Sequence, residues 1–359
     1  MSYLIFRLYY NSNDTVIYEK LFAKLMKEFS KQCYHDWYVS SCWQNGPNFV
    51  IYLSLESYFY DDTLLDILEE SVSNFLCKYP SPNYDETKYL ATQSKLMKLE
   101  NIDIDHNLIV DNNSWISDFL SSDEILSIYN SKEQWSNIFN TQRDLSQHII
   151  KARAQRTPTH LYSFNLLILL ASCYLPQKSN KEQGVCINTL PFRSNLRSWH
   201  LSQSNEQPTT TTNHKFDNQY RRHVEQYAHW IKMLQNEMVS ADLEEYSQAN
   251  LLLKSFISFT QIASQEFTNF CHESIKESQL APSSLSVQKS FDFSDDTSQN
   301  TSSAQLNSYM WLLNIVYKLL PLLQMEPLDK QFLNYSLSHH PASNIEKMDA
   351  LNEIVSAKF

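Results

Sequence analysis

The stretch Trp43–Glu56, WQNGPNFVIYLSLE, holds one of only two glycines in 359 residues. Asn45-Gly46 is a turn signal, because glycine accepts the positive φ that a tight hairpin demands, and Pro47 then fixes the entry to the next strand. The segments on either side, DWYVSSCW before the turn and NFVIYLSL after it, are rich in aromatic and β-branched residues and read as strands. Further out, YLIFRLYY near the start alternates like a sheet strand. TVIYEKLFAKLMKEFSKQ and DDTLLDILEESVSNFLCKY repeat apolar residues at helical spacing. Residues 1 to about 80 are thus expected to form a strand-helix-strand-strand-helix unit with an antiparallel hairpin at Gly46.

Beyond roughly residue 115 the hydrophobic period changes and amphipathic helix dominates, over Ser131–Gln155, His160–Tyr174, Asp217–Gln235, Ala241–Ser274, Leu306–Leu323 and Leu328–Leu337. The expected class is α+β, an antiparallel N-terminal unit followed by a mainly helical remainder, read as one domain over 1–359. Two stretches, 202–215 and 277–305, are poor in apolar residues and rich in Ser, Thr, Gln and Pro, and read as flexible excursions.

Composition narrows the function. Twenty-nine Lys and Arg against 40 Asp and Glu leave a net charge of −11, which argues against a general binder of nucleic-acid backbone. Two glycines cannot build a Walker loop, a Rossmann fingerprint or a Gly-x-Ser-x-Gly elbow, so no nucleotide cofactor held in those ways is expected. Six cysteines show no Cys-x-x-Cys and no metal-like clustering with histidine. No metal and no cofactor are expected, and free thiols suit a cytoplasmic protein. The start shows no signal peptide. The most apolar run, Leu161–Pro176, is shorter than the roughly 18–20 residues of a membrane span and contains Asn165; it reads as a buried helix.

Charge is unevenly placed. Of eight arginines, seven lie between Arg143 and Arg222. Solvated helix faces explain that distribution, and so does a cationic groove for an acidic peptide, since the guanidinium fork binds carboxylates bidentately. Arg193 and Arg197 are four apart. Arg222, Gln226 and Trp230 fall on one helical stripe with His223 and Tyr227 on the adjoining one, a pattern that suits either a peptide groove or an ordinary helix face with aromatic packing. Tyr52 and Ser54 share a strand face with Val50.

The block NGPNFVIYLSL resembles the motif of the small C-terminal domain of lantibiotic dehydratases, also found alone as the thiopeptide-type bacteriocin biosynthesis protein, in which a Gly-Pro turn leads into a strand reading roughly His-Leu-Arg-x-Arg. SPNYDETKYL (Ser81–Leu90) is similar to that family's Tyr-x-x-Glu stretch. NTLPFRSNLRSW and QYRRHVEQYAHW are similar to its Ser-His helix segments, and SYMWLLNIVYKLLPLLQMEPLDKQFLNYSL to its closing helix. In members that eliminate glutamate, the resemblance implies two strand arginines, an arginine after the Tyr-x-x-Glu stretch and a closing-helix histidine that hold and cleave a glutamyl ester. Here those positions carry Val50, Tyr52, Lys88 and, on the last helix, Tyr309 or Met310.

A branch of the family without those residues resembles the thiopeptide pyridine synthases, which unite two dehydroalanines of one peptide in a formal [4+2] cycloaddition and expel the leader peptide. The resemblance then implies Tyr309 and Tyr52 as candidate proton-handling groups. Arg193, Arg197, Arg222, His223, Gln226 and Asn314 are the candidate substrate contacts, and a precursor peptide with its leader is the partner, beside other biosynthetic enzymes. Tyr309 equally suits a core aromatic, and it lies about 140° from Asn314 around the helix. Two other readings stay open: glutamate elimination with substituted ligands, and a non-catalytic subunit that presents the precursor.

Overall fold

The computed structural model describes residues 3–55, 62–100, 109–121, 123–124, 132–160, 214–225 and 303–339, with isolated helical positions between 162 and 196. In order these give β1 (Tyr3–Tyr9), α1 (Thr15–Ile17) running through a π turn (Tyr18–Phe22) into α2 (Ala23–Lys31), β2 (Trp37–Cys42), β3 (Asn48–Ser54), α3 (Asp62–Lys78), α4 (Glu86–Glu100), β4 (Ser114–Leu120) and α5 (Lys132–Ala154). After them come α6 (Ser303–Leu319), a 3-10 turn (Leu320–Leu323) and α7 (Pro327–His339). The expected α+β class with its N-terminal antiparallel unit is the observed one. The predicted excursions 202–215 and 277–305 lie outside the described residues except for their last few, which open helical stretches.

The chain divides into two compact units. Described residues up to 159 form the first together with Lys318–Gln324; those from 160 to 317 and from 325 to 339 form the second.

In the first unit the four strands are ordered β2-β3-β1-β4, all antiparallel. The hairpin at Gly46 joins β2 to β3 as its turn residues predict. Asn45 has φ +60° and Gly46 φ +124°. A Cβ on Gly46 would lie 3.2 Å from Tyr84 Oη and 3.3 Å from Tyr9 Cδ1, so both backbone and space require glycine. Asn48 closes the turn, its Nδ2 donating to the carbonyls of Gln44 and Gly46, 2.9 Å each.

The fourth strand was not legible, because Ser117 and Asp118 interrupt the alternation of SWISDFL. It is a half-exposed edge, with Ile116 and Phe119 open to solvent, held in register by β1.

One face of the sheet, with Leu4, Phe6, Leu8, Phe49, Ile51, Leu53, Trp37 and Val39, is buried. The helices after β1 cover it: Phe22 meets Phe49 edge-on at 5.4 Å, and Phe29 meets Trp37 at 5.3 Å. Each such buried side chain contributes about 1.5–3 kcal/mol. On the opposite face, α5 packs against one end. There Trp135 and Phe139 lie on Tyr3, with centroids 5.5 and 5.2 Å away, and Phe139 lies on Tyr38 at 5.0 Å. Further along α5, Gln147 Nε2 donates to the Trp37 carbonyl (3.0 Å) and Ser146 Oγ accepts from Val39 N (3.4 Å), so polar side chains satisfy the β2 edge.

The segment Lys318–Gln324 is fixed onto this unit by one buried arginine. Arg153 donates from Nη2 to the Asn13 carbonyl (2.6 Å) and from Nη1 to Gln324 Oε1 (3.1 Å), with its guanidinium 4.6 Å from the Tyr18 ring centroid. Tyr18 Oη donates to the Leu322 carbonyl oxygen at 2.6 Å. Gln324, at φ +59°, ends the 3-10 turn.

Candidate functional site

Beyond α5, the second sheet face carries side chains that the sequence scatters over 300 residues. Strand register aligns them. Arg7 pairs with Val50, which pairs with Ser40; Tyr9 pairs with Asn48, which pairs with Cys42; Ile5 pairs with Tyr52, which pairs with Tyr38. By the period of two all of these point to one side.

Val50 leaves β3 without a guanidinium, as the sequence shows, and the strand beside it supplies one: Arg7 stands directly across from it. Arg7 is the eighth arginine, the one outside the 143–222 window. Lys318, carried to this unit by the segment that Arg153 anchors, acts electrostatically on Cys42.

Arg7, Cys42 and Tyr52 are half-buried and their neighbours Tyr9, Tyr38, Ser40, Asn48 and Val50 are buried, so the electrostatics are those of a desolvated, cation-bearing patch. Tyr52 lies flat on Tyr38, centroids 4.5 Å apart and planes 14° off parallel. Burial is the main reason its hydroxyl pKa is pushed up to about 12, with Cys42 raising it further and Arg7 opposing. The hydroxyl therefore keeps its proton at neutral pH and serves as a donor. Burial likewise raises the Cys42 thiol, while Lys318 and Arg7 lower it, and the Gln44 backbone N–H donates to its Sγ at 3.5 Å.

Lys318 is exposed at the C-terminal end of α6. Among the described residues neither Arg7, Lys318 nor the Tyr52 hydroxyl has a hydrogen-bond or ion-pair partner. The facing residues of β1, β2 and β3 (Tyr3, Ile5, Arg7, Tyr9; Tyr38, Ser40, Cys42; Asn48, Val50, Tyr52, Ser54) include no carboxylate and no histidine. The edge strand β4 adds one carboxylate, Asp118, across from Ile5. It is exposed, and its Oδ1 accepts from the Phe119 N–H at 2.8 Å.

The other predicted site residues fall elsewhere. Tyr309 lies within α6, with its side chain outside the described set, and Arg193, Arg197 and Gln226 lie outside the described residues. Asn314 is buried on α6 in the second unit. Arg222 is exposed and His223 half-buried on the helical residues 214–225 of that unit. The His223 ring is 6.5 Å from that of His160, which stacks on Phe332 at 6.0 Å. Burial first, then His223, lowers the His160 pKa, with Asp329 opposing.

Within the arginine window several members are tied up by the fold. Arg143 bonds Asp36 (2.8 Å) and Asp144 (2.9 Å), Arg153 anchors the 3-10 segment, Arg156 pairs with Glu19 (2.8 Å) and Arg221 with Asp217 (2.8 Å).

Among the described residues no group of three or more His, Cys, Asp or Glu is placed to hold a metal, and no helix is long and apolar enough to cross a membrane.

With its four-stranded antiparallel sheet and mainly helical remainder, this chain shares its fold with a pyridine synthase of known structure. The pyridine synthase TbtD from thiomuracin biosynthesis is similar to this chain over 99% of its length and 100% of that protein's, with a TM-score of 0.65 and 14% identity. TsrL is similar over 99% of both chains, with a TM-score of 0.53 and 11% identity. No family model matches the sequence, and no curated protein matches it. At these identities the likeness is one of fold, and the fold is pyridine synthase-like, as the resemblance implied.

Proposed function

We propose that this protein modifies a ribosomally made precursor peptide, and that it does so by cyclising a dehydrated precursor. One observation carries the reading: in a pyridine synthase-like fold, the polar sheet face offers hydroxyl, amide and guanidinium groups on β1, β2 and β3 and neither a carboxylate nor a histidine there.

A formal [4+2] union of two dehydroalanines needs little from a protein beyond placement. Holding both partners in register contributes on the order of 7–11 kcal/mol to lowering the barrier. What remains is to polarise one peptide amide toward its iminol, which requires a donor at the carbonyl oxygen and somewhere for the nitrogen's proton to go. Arg7 and the Tyr52 hydroxyl are donors with no partner among the described residues. The half-buried Tyr52 ring, backed by the buried Tyr38, supplies an apolar surface beside them. The ring formed then loses a water and the leader peptide.

Glutamate elimination is the second reading, favoured by Arg7, which restores one guanidinium opposite Val50. It is short of a base. Abstraction of the α-proton of a glutamylated residue needs a titratable group within reach, and β1–β3 present neither a histidine nor a carboxylate; Asp118 stands at the exposed outer edge, two strands from Tyr52. Intact-mass analysis separates the readings. Incubation with a dehydrated precursor is expected to yield loss of the leader together with one water, and a glutamylated precursor is expected to stay unchanged. Release of glutamate overturns the cyclisation reading, and unchanged mass for both peptides supports a precursor-presenting subunit.

A further inference from the structure

The polar sheet face continues across the edge strand. On β4, Ser114 stands opposite Tyr9, Ile116 opposite Arg7 and Asp118 opposite Ile5. By the period of two these side chains share the face of Arg7, while Trp115, Ser117 and Phe119 share that of Leu8, Phe6 and Leu4. Trp115 stacks on Phe6 there, centroids 5.0 Å apart and planes 21° off parallel. Directly opposed side chains of an antiparallel pair have Cβ atoms about 4.5–5.5 Å apart, so Ile116 borders Arg7.

Exposure shows from which side Arg7 can be reached. Its same-face neighbours along β1, Ile5 and Tyr9, are 7% and 3% exposed, and Val50, across on β3, is 3% exposed. Ile116, across on β4, is 43% exposed. The half-buried Arg7, with no partner among the described residues, therefore has a covered margin toward β3 and an open one toward β4. A ligand that reaches the guanidinium over that margin lies on the isoleucine. A single exposed isoleucine needs no explanation on an edge strand, but one that borders an unpaired cation gives the ligand of that cation an apolar surface to cover.

Charge decides what the ligand is. From Asp111 to Glu124 the charged residues are Asp111, Asp118, Asp123 and Glu124, all exposed, and the stretch has no Lys, Arg or His. A second copy of this chain, with its net charge of −11, would bring two such margins together against their repulsion. A carboxylate drawn to Arg7 would meet Asp118, which lies diagonal to it, about 7–8 Å away by register. Asp118 Oδ1 accepts from the Phe119 N–H at 2.8 Å, which holds the carboxylate at the edge rather than on Arg7. An uncharged apolar peptide segment, whose backbone carbonyl meets the guanidinium, satisfies both strands.

We propose that β4 is the specificity rim of this site: Ile116 receives an apolar side chain of the precursor beside the peptide carbonyl that Arg7 holds, and Asp118 disfavours a carboxylate at that place. The proposal rests on the precursor-modifying reading and names the chemistry of the segment that enters.

Binding tests it without turnover. Acetyl-leucyl-dehydroalanine amide and its glutamyl counterpart are added, at millimolar concentration, to full-length protein labelled at isoleucine methyls. The Ile116 methyl, assigned by its loss in Ile116→Thr, is expected to shift with the leucyl probe, and the glutamyl probe to bind about threefold more weakly or worse. That discrimination should shrink in Asp118→Asn and at high salt. Threonine keeps the β-branch that suits a strand, so Ile116→Thr should lose leucyl affinity, read at the Ile5 methyl, by about tenfold while the sheet persists. Phe119→Thr removes a side chain of similar exposure, 47%, from the opposite face and should bind within about twofold of wild type. An Ile116 methyl indifferent to the leucyl probe, equal losses in Ile116→Thr and Phe119→Thr, or undiminished discrimination in Asp118→Asn overturns the proposal.

Turnover separates the rim from the reaction. On a dehydrated precursor Ile116→Thr is expected to raise KM about tenfold with kcat within about twofold of wild type. An unchanged KM overturns the rim and leaves cyclisation intact. Wild type that shows the Ile116 shift with the leucyl probe and leaves the precursor unconverted overturns cyclisation and supports the rim as a peptide-binding surface.

Discussion

Replacing Gly46 by alanine tests the hairpin on which the site is built. Gly46 holds φ +124°, a conformation that L side chains rarely adopt, and an added methyl would meet Tyr84 Oη at 3.2 Å and Tyr9 Cδ1 at 3.3 Å. The backbone alone costs of order 1–3 kcal/mol. Tyr84 is half-exposed and can yield, whereas Tyr9 is buried on β1 and cannot move without disturbing the sheet. We therefore expect Gly46→Ala to lose about 2–3 kcal/mol, or about 4–12 °C in Tm for a unit of roughly 150–250 residues.

Thermal melts followed by circular dichroism give the global value. Amide exchange at Tyr10 and Val110, whose N–H groups donate to Pro47 (3.0 Å) and Asn45 (2.9 Å), reports the hairpin locally and separately from the second unit. Asn45→Gly is the control. Glycine accepts its φ of +60°, and the change removes a buried Oδ1 with no hydrogen-bond partner among the described residues, so its effect should stay within about 1 kcal/mol. A Gly46→Ala variant that melts within roughly 1 °C of wild type with unchanged exchange would refute the reasoning.

Three other substitutions probe the anchoring and the site. Arg153→Met removes the bonds to Asn13 and Gln324 and the contact with Tyr18; it should cost about 3 kcal/mol in urea unfolding, and a loss under 1 kcal/mol, roughly, would show that the clamp is incidental. Tyr52→Phe keeps the stack on Tyr38 and loses a hydroxyl with no partner among the described residues. Stability should hold within about 1 kcal/mol while turnover on a dehydrated precursor falls roughly 100-fold, and equal turnover would remove Tyr52 from the site. His160 has a folded-state pKa below its unfolded one, so the unfolded chain binds the proton first. Stability should be full above about pH 7 and fall as the pH drops through the unfolded value of about 6.5. His160→Phe, which preserves the stack on Phe332, should flatten urea midpoints between about pH 7 and pH 5, and an unchanged slope would count against this account of His160.

Local chemistry was legible in the sequence and long-range pairing was not. Asn45-Gly46-Pro47 announced the hairpin because its residues have few other uses, and the period of two placed Tyr52 with Val50 on one face. Arg7 could not be read as a site residue from composition, since its place opposite Val50 depends on β1 pairing with β3 in one register. Lys318 was hidden for a similar reason: it ends an apolar helix that reads as core, and only the contacts of Arg153 and Tyr18 some 165 to 300 residues earlier show where it is held. The arginine window was a true feature of composition, and Arg143, Arg153 and Arg156 within it hold the first unit together. β4 escaped because an edge strand needs only a partner with free hydrogen-bonding groups, and its own pattern is weak.

The measurement that bears most directly on the central claim is the intact mass of a dehydrated precursor peptide after incubation with wild-type protein and with Arg7→Met. Methionine keeps much of the length of the side chain and removes the guanidinium from the polar face. The account predicts that wild type releases the leader and one water from the peptide, and that Arg7→Met, folded to the same thermal midpoint, leaves most of it unconverted. Conversion by Arg7→Met at the wild-type rate, or glutamate release from a glutamylated precursor by either protein, would contradict it.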